Sequence, residues 1–234
     1  MTVYFTADTH FGHANIIKYQ HRPFMTAEES ARALSDPRGN WRVSDETVRL
    51  HDSVLLENIN TSVQTGDILW ILGDFCYQNL EDIAAYRKRI RCKTVNLVRG
   101  NHDHKNIDRF FNHTLEQGMI QVQGQKIWLN HYPMRSWHGS HRGAWQLYGH
   151  VHGALQAQDE EIGYTLTKDV GVDACHYAPL SFAQLEAYMQ PRRKLLEERR
   201  AEWLEQDVLR ELVEQTQDLK LGYGKDDPVP RPLE

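Results

Sequence analysis

No run of apolar residues in this chain approaches the ~20 that a bilayer-crossing helix needs. The N-terminal MTVYFTADTHFG has neither the basic region nor the long apolar region of a secretory signal. Cysteine is scarce. Cys76, Cys92 and Cys175 are the three present, an odd number that argues against a disulfide framework and suits a reducing cytoplasm. Positive charge is not in excess. The 27 Lys and Arg against 32 Asp and Glu give a net charge of −5 and an isoelectric point near 6.2, so the basic footprint of a protein that grips long duplex nucleic acid is missing. There is no Gly-x4-Gly-Lys segment, which excludes a P-loop. Asp82, Val98 and Ser181 stand six positions after the three cysteines, which excludes a Cys-x5-Arg phosphatase. Internal repeats and low-complexity tracts are absent.

What the chain has is an ordinary globular balance, 40% hydrophobic and 25% charged over 234 residues. That fits one α/β domain with short additions. Val3–Ala7, Ile68–Leu72 and Thr94–Val98 are short apolar runs that predict strands. Ser44 predicts the N-cap of a helix reaching about residue 62, and Leu80–Ile90 predicts another. Met119–Val122 and Lys126–Asn130 predict a hairpin around Gly124, and Ala144–Tyr148 and Thr165–Asp173 predict further strands. Strands alternate with helices early and turn hairpin-rich later, which predicts a mixed α/β sandwich over residues 1–190. Residues 191–221 predict an amphipathic helix, with Leu196, Trp203, Leu204, Val208 and Leu212 near helical spacing. That helix would dock on the domain or serve as a homodimer surface. Residues 222–234, with three prolines, predict a disordered tail.

The 13 histidines draw attention, because imidazole is the common metal ligand and proton carrier near neutral pH. Five clusters fall at the ends of predicted strands: Asp8-Thr9-His10, Gly73-Asp74, Gly100-Asn101-His102-Asp103, His131 and Gly149-His150-Val151-His152. In Asp8/His10 and His150/His152 the partners are two apart, so on a strand both would face one side. The adjacent glycines permit sharp turns. The donor set is carboxylate, imidazole and amide oxygen without thiolate, which suits Mn, Fe, Zn, Co or Ni, with manganese the first expectation. There are too many ligands for one ion. Two ions bridged by a carboxylate would account for them, an arrangement suited to clamping a phosphorus centre.

The ordered set DTH…GD…GNHD…H…GHVH, spanning residues 8–152, closely resembles the calcineurin-like metallophosphoesterase superfamily. The resemblance implies a mixed α/β sandwich of two sheets flanked by helices. It implies one ion held by Asp8, His10, Asp74 and His152, and a second by Asp74, Asn101, His131 and His150, with Asp74 as the bridge. It further implies a metal-bridged hydroxide attacking phosphorus in line, while His102 faces the leaving group as general acid or transition-state stabiliser. Asp103 is expected to orient a neighbour or cap a loop.

The departures narrow the reading. Protein Ser/Thr phosphatases of the superfamily carry GDxxDRG and GNHE, whereas here Tyr77 stands at the second aspartate position and Asp103 follows His102. The repair nucleases add a large DNA-capping domain, for which the residues after His152 leave little room. The chain looks instead like the small stand-alone bacterial or phage phosphoesterases. The gap between His10 and Asp74 leaves room for a helical insertion over about residues 15–62. Arg22, Arg135 and Arg142 are candidates to grip the substrate phosphate, and Trp137 or Tyr132 to stack a base. Cys76 is expected to pack as a small apolar group, and His13, His138 and His141 carry no assigned role. The expected activity is phosphodiester hydrolysis on a small nucleotide or short single-stranded nucleic acid. The alternatives are a small-molecule phosphomonoesterase and a non-catalytic scaffold of the same fold. An all-helical HD phosphohydrolase using His51-Asp52 or His102-Asp103 is opposed by the strand pattern near residue 100.

Overall fold

The computed structural model describes residues 1–205. The expected tail at 222–234, and the part of the 191–221 helix past residue 205, lie outside the described residues. Four parallel strands, β1 (Val3–Thr6), β2 (Ile68–Leu72), β3 (Thr94–Val98) and β4 (Thr114–Leu115), build one sheet. The antiparallel β9 (Leu180–Ser181) closes it in the order β4-β3-β2-β1-β9. A second sheet of order β5-β6-β7-β8 holds β5 (Gln117–Val122), β6 (Gln125–Asn130), β7 (Trp145–Tyr148) and β8 (Thr167–Asp169). The hairpin β5–β6 turns on Gln123 and Gly124, both with positive φ, as a tight two-residue turn requires. β6, β7 and β8 run parallel. The two-residue strands β4 and β9 are too short to leave a periodic trace in sequence.

The expected insertion is three helices, α1 (Ala14–Tyr19), α2 (Ala27–Ser35) and α3 (Asp45–Ser62). Thr26 caps α2 in a full capping box with Glu29, and the Ser44 side chain accepts from the Thr47 amide to start α3. Helix α3 and α4 (Leu80–Arg89) cover the first sheet. Leu55, Leu56, Ile59 and Ile83 pack there with Leu69, Ile71, Val95 and Leu97 of the strands. The short α5 (Gln156–Ile162) follows β7, and α6 runs over Phe182–Glu205. On α6, Phe182, Leu185 and Met189 are buried, and Phe182 stacks on Trp145. Helical structure thus begins nine residues before the expected start at 191. The chain divides into a unit of Met1–Arg193 and a unit from Lys194 onward. In the second, Leu195 is exposed. No described helix is long and apolar enough to cross a membrane.

The strand expected over Thr165–Asp173 is shorter. The Asp169 carboxylate accepts from the Gly171 and Gly153 amides at 2.7 and 2.9 Å. It turns the chain out of β8 into a 3-10 turn at Val172–Ala174. Leu97 is fully buried on β3, between β2 and β4. Leu97→Ala should therefore cost about 2–5 kcal/mol in a urea titration, and Leu195→Ala should stay within about 0.5 kcal/mol of the parent.

Candidate metal centre

Every candidate ligand leaves the C-terminal end of a strand. Asp8 and His10 follow β1, Asp74 follows β2, Asn101 follows β3, His131 follows β6, and His150 and His152 follow β7. That is where parallel α/β sheets place their ligands. Backbone bonds sew these exits together. The Asp8 amide donates to the Gly73 carbonyl, the His10 amide to Asp74, the Gly149 amide to His131 and the Val172 amide to Ala7.

The side chains converge on two groups. Ligand atoms of Asp8, His10 and His152 lie within 4.8 Å of one another, and so do those of Asp8, Asp74 and His131. Asp74 Oδ2 lies 3.4 Å from His10 Nε2 and 3.5 Å from His131 Nε2, reaching toward both sides. His131 Nδ1 donates to the Leu72 carbonyl at 2.8 Å. Its Nε2 therefore turns toward Asp74 and toward Asn101 Oδ1, 3.1 Å away. His152 Nδ1 lies 2.7 Å from Asp173 Oδ2, the carboxylate–imidazole pairing that fixes a metal-binding tautomer. Both nitrogens of His10 are buried without a hydrogen-bond partner among the described residues, which is costly in a protein interior. The group that fits is a cation taking the lone pair on His10 Nε2 and facing the carboxylate beside it.

The electrostatics agree. Burial raises Asp8 to about 7 and lowers His10 to about 2. Burial also pushes Asp74 up, but the His131 hydrogen bond and the neighbouring imidazoles outweigh it and bring Asp74 to about 2. His131 is pushed down by burial and further up by its bond to Asp74 and the charges of Asp74 and Asp8, reaching about 9. The two carboxylates thus favour positive charge at this point. A divalent ion would supply it.

The two-residue spacing of Asp8/His10 and His150/His152 works differently from the expected strand face. All four have left-handed backbone, φ +56°, +48°, +70° and +50°, and Asp74 joins them at +53°. Residues outside glycine hold that conformation at a cost, and such strain gathers at functional sites. Two glycines are required by close approach. A Cβ on Gly100 would overlap the Asp74 carboxylate, and one on Gly149 would overlap that of Asp8. Asp103 clamps the loops, accepting from the Gly100, Asp74 and Phe75 amides at 2.8, 3.1 and 2.9 Å. This is the orienting role expected of it.

Arg22 has no donor left to offer a substrate phosphate. It is fully buried, and all five N–H donors are taken. Nε and one terminal nitrogen pair with Asp173 at 2.8 and 2.7 Å, and the Asp8 and Thr9 carbonyls accept at 2.8 and 3.3 Å. The fifth N–H goes to His51 Nε2 at 2.7 Å. Arginine cannot accept, so the His51 proton sits on Nδ1 and is donated to Asp52, 2.7 Å away. Asp52 also accepts from the Gly12 amide and the Tyr86 hydroxyl. The His51-Asp52 pair is therefore an internal brace from α3 to the first ligand loop, not a reaction centre. Its signal in the sequence was a polar pair on the face of α3 that also carries Val48, Leu55 and Ile59. Asp173 was missed because nothing near it in sequence marks it.

Arg142 is also misplaced as a phosphate contact. It is exposed in the turn before β7, bonded to His141. The adjacent Gly143 carbonyl accepts from Gln125 at the start of β6, the far end of the sheet from His131 and His150. Arg135 and Trp137 do not join the Asp/His groups. They line a groove of about 460 Å³ along β7 with Met134, Tyr148 and Ile162. Tyr132 is at the centre, its ring 4.6 Å from that of His150. Cys76 is buried as expected. His102 is exposed at the rim, its amide donating to Asp74 Oδ1 at 2.9 Å. His13, unassigned from sequence, stacks on Tyr77 at 4.1 Å, with its ring 5.4 Å from that of His10.

Residues 43–171, more than half of the chain, match the model of the calcineurin-like phosphoesterase superfamily domain. The match begins after the Asp8/His10 motif. MJ1445 of Methanocaldococcus jannaschii, an uncharacterized protein, is 30% identical over 184 residues, which covers 76% of this chain and 86% of the relative. The crystal structure of AQ665 from Aquifex aeolicus, a protein of unknown function, aligns with a TM-score of 0.56 at 22% identity. That alignment covers 80% of this chain and 98% of the other, and it shows a shared fold. Yfce, a phosphoesterase of E. coli, aligns at a TM-score of 0.34 and 17% identity over 65% of this chain and 70% of its own, too slight a likeness to bear on function.

If Asp173 fixes the His152 tautomer for metal, Asp173→Asn should weaken binding of one metal equivalent about 10–100-fold. A calorimetric Mn²⁺ titration reads this directly, and two unchanged affinities would contradict the pairing.

Proposed function

Because the chain belongs to the calcineurin-like phosphoesterase superfamily, we propose that it hydrolyses phosphodiesters of small nucleotides or short single-stranded nucleic acid with two divalent ions. The observation that carries this reading is the unpartnered, buried His10 Nε2 facing Asp74 Oδ2, with His131 Nε2 on the other side of the same oxygen. Asp8, His10, Asp74 and His152 would hold one ion and Asp74, Asn101, His131 and His150 the other, with Mn²⁺ the best match to the donor set. Such a pair supplies positive charge to the phosphoryl oxygens and a nucleophile at neutral pH.

The chain's own residues do the rest. Asp74 and Asp8 are held in place by backbone amides of the opposite loops, from His102 and His150. The centre is thus assembled before substrate arrives, which favours electrostatic stabilisation without reorganisation. His102, exposed and tied to Asp74 only through its backbone, keeps its ring nitrogens for substrate. From there it can hold a proton for the departing alcohol oxygen. Two features support a diester over a monoester. Arg22, the arginine nearest the first motif in sequence, spends all its donors inside the protein and leaves none for a second phosphate charge. Asn101, His102 and Tyr132 are exposed, so the rim has space for a second ester substituent.

Metal-stripped protein given Mn²⁺, Ni²⁺, Co²⁺, Zn²⁺ or Mg²⁺ should turn over bis-p-nitrophenyl phosphate faster than p-nitrophenyl phosphate. Asp74→Ala should lose both metal and turnover. His102→Ala should keep its metal and lose about 10²–10⁴-fold in rate on esters with poor leaving groups. Preference for the monoester would reverse the diester assignment. Two bound ions without turnover of either ester would indicate a scaffold.

A further inference from the structure

His102 has an orientation problem. Its side chain is exposed and makes no hydrogen bond among the described residues, so only ring packing restrains its rotamer. Three aromatic rings surround it. Tyr77 meets it edge-on at 5.4 Å and 72°, and the His10 and His13 rings lie at 5.6 and 6.3 Å. His10 is committed to the cluster of candidate ligands, which leaves Tyr77 and His13. These two stack face to face at 4.1 Å and 18°. Their loops are closed on each other by the Tyr77 amide donating to the Phe11 carbonyl at 3.1 Å and by Gln78 Nε2 donating to the Gly12 carbonyl at 2.7 Å. Tyr77 is half exposed and its hydroxyl makes no hydrogen bond among the described residues. Its ring packs against both His13 and His102.

We propose that Tyr77, backed by His13, is a positioning residue that holds the His102 ring toward the leaving-group oxygen. This inference rests on the leaving-group role given above to His102. An aromatic edge against an imidazole is a modest contact, about 0.5–1.5 kcal/mol in aromatic pairs. That is enough to bias a choice among three side-chain wells, and misplacement of a reacting group by about 1 Å can cost on the order of 10²-fold.

The test pairs Tyr77→Ala with Tyr77→Phe and uses two diesters. Bis-p-nitrophenyl phosphate releases a stable phenolate that needs no proton. The dinucleotide TpT releases an alcohol that does. With Tyr77→Ala, kcat on TpT should fall about 10–100-fold, while kcat on bis-p-nitrophenyl phosphate changes less than about threefold and KM and metal content are unchanged. Tyr77→Phe should restore parent behaviour on both. Equal losses on the two esters would mean a structural role, and no loss on TpT would overturn the proposal. A second readout is independent of turnover. In the metal-free protein, the His102 ring protons, assigned by their absence in His102→Asn, should be shifted by the Tyr77 ring current. The shift should persist in Tyr77→Phe and vanish in Tyr77→Ala. If the parent hydrolyses neither ester, the phosphodiesterase reading fails, and the resonances still decide whether Tyr77 holds His102. Unshifted His102 resonances would overturn the positioning role whatever the activity.

Discussion

Two carboxylates, Asp8 and Asp74, lie side by side in the interior, and the rest of the centre depends on how their burial is tolerated. Taking one carboxylate out of water costs several kcal/mol, and two that share a site repel each other as well. The amides of His150 and His102 offset part of this. Two imidazoles, from His131 and His152, supply a further part by facing the carboxylates with nitrogen. Nothing among the described residues, however, occupies the nitrogens of His10. Bound cations would complete the cluster electrostatically.

Holding such a cluster demands backbone that ordinary strands do not provide. Five candidate ligands adopt left-handed φ, and glycines 100 and 149 allow neighbouring loops to touch the carboxylates. The strain is stabilised from outside. Asp103 ties the Asp74 loop to the Asn101 loop. On the other side, a continuous hydrogen-bonded chain runs from His152 through Asp173 and the buried Arg22, His51 and Asp52 to the Gly12 amide. Arg22 follows α1 and His51-Asp52 sit on α3. The helical insertion therefore braces the centre from behind and contributes less to the substrate side than its length suggests. A fully satisfied polar network of this kind specifies one arrangement at the expense of tolerance to substitution.

The ligand motifs were legible because metal chemistry restricts residue type and because each motif ends a short, strongly apolar strand. Ile68–Leu72 and Thr94–Val98 are bounded as their composition predicts. The α3 start at Ser44 was legible because one hydroxyl caps it. Arg22 was misread, because an arginine near a phosphate site has the same composition whether it faces inward or outward. What decides is Asp173, which is 151 residues away in sequence. Arg142 was misread because closeness in sequence to His150 conceals the length of β7 between them. The i, i+2 ligand pairs were found for the wrong geometric reason. They point together because both residues of each pair turn left-handed, which no side-chain pattern announces. Tyr77 and His13 escaped because aromatic packing between two loops has no periodicity.

If these residues form a two-cation centre, anomalous diffraction from crystals grown with Mn²⁺ should show two peaks, roughly 3.5–4 Å apart. One should lie against Asp8, His10 and His152 and the other against Asp74 and His131, with Asp74 touching both. A single peak remote from Asp74, or none at saturating Mn²⁺ with His10 still unpartnered, would contradict it.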